Sequence, residues 1–223
     1  MNIANNILKH SLQNVYFLVG TPLAGKTTMA QALADKHGLV YFSEDWYTDS
    51  FKLFQSLCDE KYQPYTAGRK QISDWEAHFS KPLEAFLADD AGGKGNDEYI
   101  EFAVVELMKL AQTRKVVTDI FIPIPLVAEV SDYNHVACLL AAPELINCEN
   151  YGARESHKAF LDCLKSLKEP EKKIAVQDEL FRIRAEQTYA EAREHNLFTI
   201  ARTQESTVEN TLRLLENHFG LSS

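Results

Sequence analysis

Short apolar runs alternate with stretches of helical period along this chain. Val15-Tyr16-Phe17-Leu18-Val19 is a continuous apolar run bounded by Gly20, the mark of a strand buried on both faces. Met29, Ala30, Leu33 and Ala34 then keep a helical period until His37-Gly38, where glycine supplies the stop. Leu39–Phe42, Lys115–Ile120, His135–Ala141 and Asn196–Ala201 read as four further strands, short and rich in β-branched and aromatic residues. Thr207 to Phe219 repeats Val208, Leu212, Leu215 and Phe219 on one helical face and closes at Gly220. Residues 1–14 place Ile3, Ile7, Leu8 and Leu12 at roughly helical spacing and predict a short amphipathic lead-in. Between the second and third strands, 48–113 is helical in pattern, broken at 63–68 and 90–96 by Pro- and Gly-bearing turns. Strands separated in this way specify an α/β domain around a five-stranded parallel sheet.

Composition narrows the picture. With 223 residues and 45% hydrophobic content, the chain is expected to form one domain, 1–223, carrying 48–113 as an insertion. A net charge of -9 and a pI near 5.3 argue against nucleic acid or an anionic membrane as partner, because both demand a basic footprint. Cys58, Cys138, Cys148 and Cys163 show no C-x-x-C spacing, so reduced thiols and a cytoplasmic setting are expected. Met1 to Ile7 has neither a long apolar run nor a cleavage site, and no stretch approaches transmembrane length. The seven histidines are dispersed, with no H-E-x-x-H pair, and no G-x-S-x-G elbow is present.

The chemistry begins where the first strand ends. Gly20-Thr21-Pro22-Leu23-Ala24-Gly25-Lys26-Thr27-Thr28 contains G-x-x-x-x-G-K-T between a strand and a helix start. That spacing lets successive backbone N–H groups curl around a phosphate while the following helix turns its positive end to the same anion. Lys26 then reaches the β- and γ-phosphates of a nucleotide, and the Thr27 hydroxyl is placed to ligate magnesium. Two acids fall on the same sheet edge. Ser43-Glu44-Asp45 follows the second strand, and Asp119 lies near the end of the third, where an acid suits magnesium.

Two further stretches bear on the acceptor and the phosphates. The 48–113 segment and its approach are rich in large aromatics, among them Trp46, Tyr47, Phe51, Tyr65, Trp75, Phe79 and Phe86; helices laid over a sheet need such residues for packing, and they are also able to stack on a planar or apolar substrate. About 148–185 the acidic chain turns locally basic, with Arg154, Lys158, Lys165, Lys168, Lys172, Lys173, Arg182 and Arg184. Such a segment acts as a lid when its guanidinium groups reach the transferring phosphoryl, and as a solvated face when they pair with the interleaved Glu155, Asp162, Glu169, Glu171, Asp178 and Glu179. Asp89-Asp90-Ala91-Gly92 matches D-x-x-G, the mark of a nucleotide switch, with no N-K-x-D beside it. A non-enzymatic switch and an ATPase module are the rival classes.

Together the G-T-P-L-A-G-K-T-T loop, the second strand ending in Glu44-Asp45 and the arginine-bearing stretch before the last strand resemble the small P-loop kinases. That group includes nucleoside monophosphate, shikimate and gluconate kinases, chloramphenicol phosphotransferase and the zeta toxins. The resemblance implies a three-layer α/β/α P-loop NTPase fold with a helical substrate-side insertion and a lid. It implies an ATP- and Mg2+-dependent phosphotransferase that moves the γ-phosphoryl to a hydroxyl of a small molecule, in a monomer or homodimer. By position it gives Asp45, with Glu44 as competitor, the role of taking the acceptor proton. Asp119 corresponds to the acid beside magnesium, and Arg182 or Arg184 to the lid arginine. Leu197 to Thr203 is similar to the segment that borders adenine. The lid lacks a compact R-x-x-x-R-R pattern, and Arg69 and Arg114 are the only arginines from 48 to 114, which favours an uncharged hydroxyl over a phosphorylated nucleoside as acceptor.

Overall fold

Val15–Gly20 (β1), Val40–Phe42 (β2), Val116–Thr118 (β3), Val136–Ala141 (β4) and Phe198–Arg202 (β5) pair in parallel, in the order β2-β3-β1-β4-β5. The computed structural model describes residues 5–43, 74–90 and 94–221. Helices Asn5–Ser11 (α1), Lys26–His37 (α2), Trp75–Phe79 (α3), Leu83–Asp90 (α4), Lys94–Ala111 (α5), Ile124–Val130 (α6), Cys148–Gly152 (α7), Lys158–Ser166 (α8), Pro170–Glu194 (α9) and Val208–Phe219 (α10) surround the sheet.

β1 lies at the centre because it is apolar on both faces. Successive strand residues point to opposite sides, and the packing follows that alternation. Tyr16 and Leu18 join a cluster with Met29 and Leu33 of α2, Leu180 of α9, and Leu215 and Phe219 of α10. Val15, Phe17 and Val19 join a second cluster with Leu8 of α1, Leu12 just after it, Leu107 of α5 and Val127 of α6. The sheet is thus sandwiched between two helical layers, the three-layer α/β/α arrangement that the resemblance implies. Phe17 is held in register against Thr118 on one side and Val136 on the other.

The strands start and stop a residue or two from their expected bounds, with local causes. α9 runs to Glu194, and the Leu197 N–H returns to the Ala192 carbonyl through Asn196 at φ 50. β5 therefore begins at Phe198 and reaches Arg202, opposite Ala141. In the stretch expected to form a lid, α7 to α9 bury Cys148, Leu161, Leu164, Leu180 and Phe181 against the first cluster. Of the expected insertion, α3, α4 and α5 lie within the described residues. Glu44 and Asp45 lie outside them, as do Trp46, Tyr47, Phe51, Tyr65 and the Ala91-Gly92 end of the D-x-x-G match.

Candidate functional site

β1 is flanked by β3 and β4, so its carboxyl end opens into a crevice where the chain leaves the sheet in opposite directions. Ligands of open parallel sheets bind at such a point. The loop Gly20–Thr28 occupies it. Gly20 adopts φ 127, and a Cβ there would lie 1.9 Å from the Leu139 carbonyl oxygen, so the loop leaves the sheet in direct contact with the β4 backbone. Thr21 is wholly buried. Its N–H donates to Leu139 O at 3.1 Å and its hydroxyl accepts from the Ala141 N–H at 2.8 Å. One of the variable positions of the motif is therefore a bolt between loop and sheet.

The loop's crest is turned by Leu23 at φ 64 and Gly25 at φ 83, after which α2 begins with no acidic residue in its first turn. The unpaired N–H groups of that turn and the helix dipole favour an anion there. Lys26 folds under the loop. Its Nζ donates to Gly20 O at 3.0 Å and Thr21 O at 2.7 Å, and burial lowers its pKa to about 8, with the Arg154 charge acting in the same direction. Thr27 Oγ1 donates to Asp119 Oδ2 at 2.5 Å, and the Tyr41 phenol donates to Asp119 Oδ1 at 2.7 Å. A hydroxyl and a carboxylate on adjacent elements at the mouth of a phosphate loop are hard oxygen donors of the kind magnesium takes, one or two from protein and the rest from phosphate and water. Among the described residues no group of three His, Cys, Asp or Glu gathers as a metal site.

On the other side of the loop, a cleft is lined by Ala24, Gly25, Thr28, Arg202, Thr207 and Val208. Arg202 Nη1 donates to Leu23 O at 2.8 Å, and a Cβ on Gly25 would meet the same nitrogen at 3.0 Å. Burial followed by the Arg202 charge lowers the pKa of Arg154 from its ordinary range. Arg202 thus reaches the loop crest, and the Arg154 charge is felt by Lys26.

The structure places Arg182 differently from Arg154. On the exposed side of α9, Arg182 pairs with Glu179 and Glu186 of its own helix, and the Glu179 hydrogen bond raises its pKa. Arg184 is half-buried on α9, between the buried Phe181 and Ala185. Tyr41, Arg154 and Arg202 are site residues that no motif or spacing in the sequence singles out. In the sequence Arg154 is one of several basic residues in its stretch, Arg202 lies within the segment similar to an adenine border, and Tyr41 reads as part of a strand.

A central strand, a G-x-x-x-x-G-K-T loop and the order β2-β3-β1-β4-β5 define an α/β domain of the P-loop NTPase type. No protein-family model and no curated protein matches the sequence. Solved structures similar to it include the shikimate kinase of Bacteroides thetaiotaomicron, 16% identical, with a TM-score of 0.48 over 91% of this chain and 96% of that one. Also similar is the Acinetobacter baumannii shikimate kinase in complex with shikimate, at 16% identity and TM-score 0.48 over 98% and 99%. The dephospho-CoA kinase of Campylobacter jejuni matches at 13% and 0.39 over 94% and 97%. Among the described residues no helix is long and apolar enough to cross a membrane.

Proposed function

We propose that this chain is a P-loop kinase that transfers the γ-phosphoryl group of ATP to a hydroxyl of a small molecule. The observation that carries the proposal is the grouping of Lys26, Thr27 and Asp119 at one mouth, with the Thr27 hydroxyl 2.5 Å from the Asp119 carboxylate. The loop amides and the start of α2 seat the phosphates, and the cleft beside Arg202 receives the base. Lys26 leaves the carbonyls of Gly20 and Thr21 for the phosphate oxygens and supplies charge where it develops. A magnesium ion held by Thr27 with Asp119 would neutralise the β- and γ-oxygens. Transfer through a loose transition state asks mainly for positioning and charge, which this set of residues offers.

Asp45 is proposed as the residue that orients or deprotonates the acceptor hydroxyl, with Glu44 as the competing acid two positions after Phe42. Arg154 joins Arg182 and Arg184 as a candidate for the arginine that reaches the transferring group, and its influence on Lys26 favours it. Because shikimate is bound by one of the similar structures, it heads the acceptor panel. The test is a phosphotransfer screen with Mg-ATP against shikimate and other hydroxylated acids, sugars, nucleosides, nucleotides and dephospho-CoA, with Lys26→Ala as the blank. Acceptor-dependent ADP release that vanishes in the blank is expected. Nucleotide binding with no release on any acceptor would favour a switch.

A further inference from the structure

Asp119 is held from two sides. Thr27 at the start of α2 takes Oδ2 at 2.5 Å, and Tyr41 of β2 takes Oδ1 at 2.7 Å from 78 positions away in the chain. The strand that carries Tyr41 and the strand that leads into Asp119 are themselves locked together. Tyr41 lies opposite Val117, Thr118 Oγ1 donates to Phe42 O at 2.9 Å, and the Ile120 N–H donates to Thr118 Oγ1 at 3.4 Å. The backbone on both sides of Asp119 is therefore anchored to the same strand that presents the phenol.

We propose that Tyr41 is a positioning residue for the metal half of the site, holding the Asp119 carboxylate in the orientation that serves Thr27 and a divalent ion together. This rests on the phosphotransfer proposal above. A carboxylate offers about four lone-pair positions, and the two hydroxyls use two of them. The remaining positions are left for the ion or its waters, and rotation about the Asp119 side chain is opposed from both ends. Without the phenol, Asp119 keeps one anchor and gains freedom to swing away from the loop mouth. A half-buried tyrosine also needs a hydrogen-bond partner for its own sake, so the distinguishing quantity is metal affinity, which a packing role leaves untouched. Partners that orient metal ligands typically contribute about 10–100-fold to metal affinity or activity.

The test uses the full chain, ADP, and Mn2+ as a paramagnetic substitute for magnesium, with free Mn2+ read by electron paramagnetic resonance. Tyr41→Phe keeps the ring that packs against the first cluster and removes only the hydroxyl. It is expected to weaken Mn2+ retention by about tenfold or more, while ADP affinity in EDTA stays near wild type. Asp119→Asn is expected to weaken retention too, and the double variant to be no weaker than Asp119→Asn alone, because Tyr41 acts through Asp119. Unchanged Mn2+ retention in Tyr41→Phe overturns the inference, and so does an additive loss in the double variant. A wild-type chain that binds no ADP removes the phosphotransfer proposal as well, an outcome visible before any variant is made.

Discussion

Arg202 Nη1 donates to the carbonyl of Leu23 at 2.8 Å, tying the end of β5 to the crest of the phosphate loop across 179 positions of sequence. Among the described residues, Leu23 is one of three non-glycine residues with positive φ, a conformation that costs energy unless its surroundings hold it. Arg202 supplies that hold while lining the cleft beside the loop. A hydrogen bond from a charged donor contributes about 1.5–3 kcal/mol, so Arg202→Ala should weaken ADP binding by about tenfold or more. Calorimetric titration checks it. Wild-type affinity in the variant would leave the loop crest self-supporting.

Lys26 carries the strongest expectation for turnover. Lys26→Ala should abolish acceptor-dependent ADP release, whereas Asp45→Ala should lower turnover and leave ADP affinity unchanged. Steady-state rates and calorimetry on the two variants separate these roles. Full turnover in the Asp45 variant would remove that carboxylate from the chemistry.

The buried ammonium also gives nucleotide binding a pH signature. Burial lowers the Lys26 pKa to about 8 in the free protein, and phosphate oxygens favour the protonated form. Below pH 8 the cation is already present. Above it a proton must be taken up on binding, so ADP affinity should fall with rising pH, by at most about tenfold per pH unit. In Lys26→Met this dependence should be absent, and a titration series from pH 7 to about pH 9.5 reads it directly.

Glu216 of α10 latches onto the end of α2, accepting from Lys36 at 2.6 Å and lying 2.7 Å from His37 Nε2. The Lys36 hydrogen bond is the main cause that holds its carboxyl below the usual range, with His37 adding to it. A depressed carboxyl pKa stabilises the fold above the unfolded value, near 4.3, and that contribution is lost as pH falls through the lower folded value. Glu216→Gln should therefore melt below wild type at pH 7, by about 2–4 °C for each ~1 kcal/mol lost. The gap should close in acid. Calorimetric melts at several pH values test it.

Gly20 should tolerate no side chain. A Cβ 1.9 Å from Leu139 O must displace β4, the strand that buries Val136 to Leu139 beside β1. Gly20→Ala combines this clash with an unfavourable φ of 127 and should lower stability by more than about 4 kcal/mol, the range reserved for severe core and backbone strain. Circular dichroism melts of the soluble fraction decide it.

The parts of this protein determined by sequence alone are those whose causes lie close together in the chain. Gly20 to Thr28 is contiguous, so strand, turn and helix start were legible with their chemistry, and each of the five apolar runs announced its strand by its own residues. Even the pairing of Arg182 was within reach, since Glu179 and Glu186 stand three and four positions away, the spacing of neighbours on one helical face. Only the tertiary structure decided the order β2-β3-β1-β4-β5, because strand order is set by how two apolar faces of the sheet are covered by helices drawn from the whole chain. That order brings Tyr41 to Asp119, Arg202 to Leu23 and the charge of Arg154 to Lys26. No periodicity records such meetings, since they depend on the distance across a folded sheet and not on spacing along a strand.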